Sequence, residues 1–385
     1  MQRFKLQKLF LTFAVVFSAS VFASETRITT MGGNGLYLKD EANIMLFPAT
    51  LLKFSDLVVA EMRAKKTNSR YSVGVHMDYG NVASGLYINM PITSPIVTTG
   101  LGRFGGLTAT LNNGYAFMMA MGMGDMDVGF GLLTAGSNYE TGDDPNKTEE
   151  SSSYIGILGG VSNDMLDAGI LIELPSITQE IGAGKAEYSG FGFSANGRYF
   201  LMKRNGTNIF PVGHLTYGTT TYEVKDGETT DYTNMIVTVG VGTEKPINED
   251  NVLVVGVEAG LASVTTDTKD AGETTFSTLT LPGIYVGVES RIASWLIGRV
   301  GAGHVNQSFT TESKPDGGTK SETTSDGSAF KITLGLGMEF SNFLVDFSFN
   351  EGLLFDGPAI ISNTGEVLTS RLSITYNFGG DDEQK

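Results

Sequence analysis

The chain has no cysteine, three histidines, one tryptophan and only 10 prolines in 385 residues. Without thiols there is no disulfide framework, so the fold must close through its own hydrogen bonds and packing. Beyond residue 23 no apolar run reaches the length of a membrane-spanning helix, about 20 residues. Basic residues are few, 26 Lys and Arg against 42 Asp and Glu, and the net charge of -16 argues against a nucleic-acid partner. No HExxH, GxSxG or Walker pattern stands in a convincing context, so no enzyme, catalytic residue, metal or cofactor is expected. His76, His214 and His304 are too sparse to form a recognisable constellation, and the acidic stretch at Asp143 and Asp144 lacks EF-hand spacing.

What the chain does have is 50 glycines and abundant Thr, Tyr and Phe, a composition of strands and turns. Near the C-terminus Leu372, Ile374, Tyr376 and Phe378 alternate with Arg371, Ser373, Thr375 and Asn377. A period of two separates a face fit for lipid from a face fit for water. The same rhythm runs through Tyr71 to Tyr79, Tyr115 to Met123 and Phe330 to Phe340, where Ser341-Asn342 makes a tight link to Phe343–Phe349. Methionines 119, 121, 123 and 126 fall on the outward phase and are read as greasy surface, not as soft-metal ligands. Trp295, Phe340, Phe343 and Tyr376 lie where an aromatic girdle belongs.

These patterns predict an all-β fold, a single antiparallel transmembrane barrel over 57–378, with about fourteen strands and sixteen possible. Long polar connections at 140–151, 176–186, 225–231, 267–274, 311–328 and 352–366 alternate with short turns and are expected to be solvated loops. Arg3, Lys5 and Lys8, an apolar core over Leu9 to Phe17 and Val21-Phe22-Ala23 make residues 1–23 a signal peptide. A polar tail follows at 379–385. Together these features place the chain in the outer membrane of a Gram-negative cell envelope, against lipid bilayer and lipopolysaccharide.

Residues 24–56 break the rhythm, being Gly-rich, without alternation and interrupted by Pro48. They are expected to form a periplasmic or lumenal segment, a candidate plug. The positions Gly32, Gly33, Gly35, Asp40, Asn43, Pro48 and Ala49 are similar to the opening of the long-chain fatty-acid transporter-like outer-membrane proteins and of their type IX secretion shuttle-barrel relatives. Phe47 stands where those families carry Asn. The resemblance implies a plugged barrel that carries hydrophobic small molecules, or a scaffold or cargo shuttle with secretion partners.

The inward phase of the strands carries the polar groups. His76, Asp78, Glu173, Arg198 and Glu258 are candidate lumen-lining residues, together with Glu289, Arg291, Glu339 and Arg371. Asp127, Asp167, Glu244, Asp346, Lys331 and Arg299 share that phase. Acids outnumber bases, which fits a weakly cation-selective general porin if water fills the pore. Glycines at 240, 242, 256, 260, 335 and 337 leave inward room for a plug, a ligand or a channel.

Overall fold

The computed structural model describes residues 25–63, 70–90, 92, 96–97, 111, 114–143, 147–181, 184–204, 207–349 and 369–379. They form one antiparallel sheet closed on itself. The first strand, Leu57–Arg63, pairs with the last, Thr369–Asn377, in register from Leu57↔Asn377 to Arg63↔Arg371. Seventeen hydrogen-bonded segments fill sixteen positions in the wall, because Gly184–Tyr199 and Met202–Arg204 lie end to end against the same neighbour, Thr207–Val224. The count is therefore sixteen, not fourteen. Four strands precede residue 125, and the seven-residue Leu57–Arg63, too short to read clearly as a wall strand, pairs on both edges.

Alternation sorts the side chains as the pleat requires. Tyr71, Val73, Phe117, Phe330, Ile332 and Ile374 are exposed on the outside, whereas Ser72, His76, Met118, Thr333 and Ser373 are buried inside. A continuous outward belt of large apolar side chains on a closed barrel is the surface of a membrane-spanning protein. At the short-turn end the rings meet: Phe343 stacks on Tyr376 at 4.5 Å and Trp295 on Phe340 at 6.3 Å. The last strand returns to this end, where the Phe378 amide donates to the Asp56 carbonyl at 3.0 Å, tying the entry of the barrel to its exit.

On the opposite side the polar connections are far shorter than the sequence suggests. Residues 311–328, expected as a loop, belong largely to strands Leu296–Pro315 and Ser321–Phe340, with Thr310↔Thr324 and Thr311↔Thr323 in register. Strands likewise run to Thr141 and from Thr148, and to Ile181 and from Gly184. Threonine is β-branched and fits a strand even where both faces meet water, so a polar composition that resembles a loop extends the wall. A twenty-residue strand is roughly 65 Å long, well beyond the apolar belt of about 25 Å. The expected signal peptide, the connection 352–366 and the tail after Gly379 lie outside the described residues, as does Asp144.

Candidate functional site: a plug seated in the lumen

Residues 25–56 fold into a helix, Glu25–Thr30, and three tight 3-10 turns, Gly35–Tyr37, Glu41–Met45 and Pro48–Phe54. Each start has a local cause. Asn34 Oδ1 accepts from the Leu36 amide and Asp40 Oδ1 from the Ala42 amide, both at 3.0 Å, and Pro48 opens the third turn with its fixed φ. Gly32 and Gly33 take φ of +103° and +83°, turning the chain after the helix. Asn43 Nδ2 donates to the carbonyls of Gly35 and Leu38 at 2.9 and 2.6 Å, which folds the segment onto itself.

The result is a compact segment packed inside the barrel, called the plug below for its position alone, and seated where the wall is glycine. Tyr37 lies over Gly240, Gly242 and Gly256, and a Cβ on Gly256 would stand 2.5 Å from its ring. Pro48 lies on Gly160, Thr30 on Gly335, and the backbone at Pro48 and Ala49 on Gly129. Of the six inward glycines singled out in the sequence, Gly337 adjoins the Arg299 guanidinium instead, and Gly260 faces only Thr238, Val237 and Thr280.

One side of the seat is ionic. Arg27 bonds Glu289 at 2.8 Å and Asp40 at 3.3 Å; Arg299 bonds the same Glu289 at 2.6 Å and Asp346 at 2.5 Å. All five groups are buried, so each charge depends on its partners. Glu25 is clasped by Arg63 and Arg371, and Thr333 donates to the Thr30 carbonyl at 3.0 Å. Between these clasps Glu258 accepts from Asn34 and from the hydroxyls of Tyr37 and Tyr285, at 2.8–3.0 Å. Arg198 bonds Asp167 at 2.7 Å and the Leu38 carbonyl at 2.5 Å, and its guanidinium covers the Phe47 ring at 4.5 Å.

The other side is apolar. Ile44 and Leu51 of the plug pack with Ala83, Ala116, Met118, Ala120, Leu133 and Leu158 of the wall. His76 joins the two regions: its Nδ1 donates to the Phe54 carbonyl at 2.6 Å, so Nε2 is free to accept from the Tyr87 hydroxyl at 2.7 Å. Ile92, Val97 and Leu111 belong to the same cluster, and the Tyr188 hydroxyl donates to the Ile96 carbonyl at 2.6 Å. The stretch after residue 90, whose role the sequence does not show, therefore places its described residues inside the barrel.

Burial sets the protonation of the plug's own acids. It pushes Asp40 up to about 6 against the pull of Arg27, and raises Glu41 well above the usual carboxylate range, with Asp40 and Glu61 adding to the rise. Burial lowers the Lys39 ammonium, while Glu25, which burial alone would raise, is held below the usual range by Arg63 and Arg371.

Among the candidate lumen-lining residues, Glu258, Glu289, Arg198, His76 and Arg371 converge on the plug. Glu173 is buried deeper in the wall under the Tyr154 hydroxyl, which donates to it at 2.8 Å. Arg291 and Glu339 pair with each other at 2.7 Å beside the Ser294 carbonyl, and exposed Asp78 caps its own turn by accepting from the Gly80 amide. Sequence reasoning missed Arg27, Tyr37, Glu25 and Glu61. For Glu61 the inward phase of Leu57, Val59 and Glu61 was a usable signal; for the plug residues no period exists from which to infer a partner.

No protein-family model and no curated protein matches the chain. Among solved structures it is similar to the CymD monoaromatic hydrocarbon channel, at 12% identity and a TM-score of 0.42 over 94% of this chain and 99% of that one. A deltaS2 mutant of the TodX monoaromatic hydrocarbon channel matches at 11% identity and 0.38, over 92% and 96%. The alcaligin outer-membrane receptor FauA from Bordetella pertussis matches at 7% identity and 0.39, over 83% and 75%.

Proposed function

We propose that this chain is a plugged transport barrel of the bacterial outer membrane, in which the segment Gly32 to Ala49 closes the lumen and its displacement opens a path for hydrophobic small molecules. One observation carries this reading: the plug is fitted to glycines of the wall, while buried apolar groups such as Ile96, Val97, Met118 and Ile177 line other parts of the interior. Such a lining receives apolar solutes without desolvating polar ones. A general porin would instead keep a hydrated eyelet ringed by charge. Here inward charged groups such as Glu289, Arg299 and Asp346 are engaged in a chain that holds the plug.

Single-channel conductance of the mature protein in a planar bilayer tests the plug. The intact barrel should insert silently, and deletion of residues 30–50 should produce large ohmic steps. Steady conductance of the intact barrel, unchanged by the deletion, would overturn it. Uptake of a small apolar solute into barrel-containing vesicles, compared with a polar solute of equal size, tests the cargo class.

A further inference from the structure

The start of the plug is held by its backbone. The Glu25 nitrogen donates to Glu61 Oε1 at 3.0 Å, on the inward face of strand Leu57–Arg63. Glu61 is 7% exposed, and it faces the Ser373 hydroxyl and the Arg63 guanidinium. Arg63 itself is directed elsewhere: its Nε and Nη2 donate to Glu25 and its Nη1 to Ser72. Arg371 also donates to Glu25, at 2.5 Å. Two guanidinium groups therefore converge on the partly exposed Glu25, while the buried Glu61 receives a backbone N–H from the plug.

Positive charge is short at this point. Glu25, Glu61 and Glu41 stand against Arg63 and Arg371; Glu41 meets Glu61 and Asp40, and Asp40 is already bonded to Arg27. A buried carboxylate is costly unless a positive charge accompanies it. The sequence holds a source for that charge immediately upstream, where Val21-Phe22-Ala23 makes the Ala23–Ser24 bond a cleavage site. Hydrolysis of that bond by an export peptidase leaves a carboxylate on Ala23 and an amine on Ser24, protonated below about pH 8. Consecutive backbone nitrogens lie within about 4 Å of each other. An ammonium on Ser24 is therefore no more than about 7 Å from Glu61 Oε1.

We infer that the α-ammonium created by removal of the signal peptide is the counter-charge of Glu61, so that processing of the chain fastens the plug to the first strand. An opposite charge at about 4–6 Å favours the ionised form of both partners. Before cleavage the same nitrogen is a neutral amide and brings no charge, so the unprocessed barrel lacks this fastening. After cleavage the three carboxyl groups of the clasp face three positive charges: Arg63, Arg371 and the ammonium. The contact belongs to the plug's seat and does not depend on what the barrel transports.

The test is titration of the α-amine in protein purified from outer membranes, its N-terminus first fixed by intact mass. Reductive methylation with isotope-labelled formaldehyde keeps the amine charged and gives it a methyl resonance distinct from those of lysine, followed by NMR against pH. The midpoint is expected at about pH 9 or above, against about 8 for an ordinary α-amine, and should return to about 8 in Glu61→Gln. Barrel closure is checked by heat-modifiable migration on a gel. If Glu61→Gln does not close, insertion of Gly-Ser-Gly ahead of Ser24 moves the amine without touching the wall and should give the same return. A midpoint of about 8 in the unaltered protein would overturn the inference. So would a raised midpoint that survives these changes, or an N-terminus other than Ser24. Conductance does not enter this readout, which keeps it separate from the test of transport.

Discussion

The two sides of the plug's seat are built on opposite principles. Towards the strands that carry Leu133 and Leu158, contact is apolar and close, with Ile44 and Leu51 in a cluster and the Pro48–Ala49 backbone against Gly129. Towards the strands that carry Glu289, Arg299 and Asp346, contact is a buried ionic chain reaching Arg27 and Asp40. Apolar packing is non-directional and loses energy gradually as surfaces part. A buried ion pair fails abruptly, because either partner left alone is costly. The difference suggests a plug that hinges on its apolar side and is latched on its ionic side.

The largest effect should come from wedging the apolar side. Gly129→Val places a branched side chain in the plug backbone at Pro48 and Ala49, and should turn a silent barrel into a conducting one in the planar-bilayer assay. Next in size, Arg299→Met leaves Glu289 and Asp346 short of a partner inside the wall. Its cost should be about 3–5 kcal/mol, read as a lower urea midpoint of the refolded barrel. If Gly129→Val stays silent while Arg299→Met conducts, the hinge and the latch are reversed.

Acidity sharpens the same contrast. Asp40 sits at about 6 in the seated plug against 3.8 as an ordinary carboxyl, so the seated form binds the proton more tightly. Seating should therefore be strongest below 3.8 and weaken as pH rises through 6, and openings should be rarer at pH 4 than at pH 7. Asp40→Asn should flatten that dependence. The smallest effect is expected at Tyr37→Phe, which removes one hydroxyl from Glu258 while the ring stays on its glycines. A loss of about 1 kcal/mol corresponds to openings about fivefold more frequent.

The barrel was legible because each strand carries its own period: Phe330 to Phe340 declares both faces without reference to any other residue. The segment 25–56 was legible as an exception to that period, and the inward glycines as room of unknown use. Their correspondence was not legible, since Tyr37 meets Gly240 only after the wall has closed. Polar strands such as Ser321–Ser328 were mistaken for loops because hydrophilicity was weighed above the strand preference of threonine. Pairings such as Arg27 with Glu289 have no local signature at all.

The plug's contacts also impose a sequence of events. Thr26 meets Ser373 and Glu25 meets Arg371, partners 347 and 346 residues away along the chain. The first part of the described chain therefore completes its contacts only once the last strand has paired with the first. Contacts so distant in sequence form late, after the entropy of closing the intervening chain has been met. An assembling barrel of this design passes through a stage in which it is closed in outline and still open inside, and the arrival of its own N-terminus is what ends that stage.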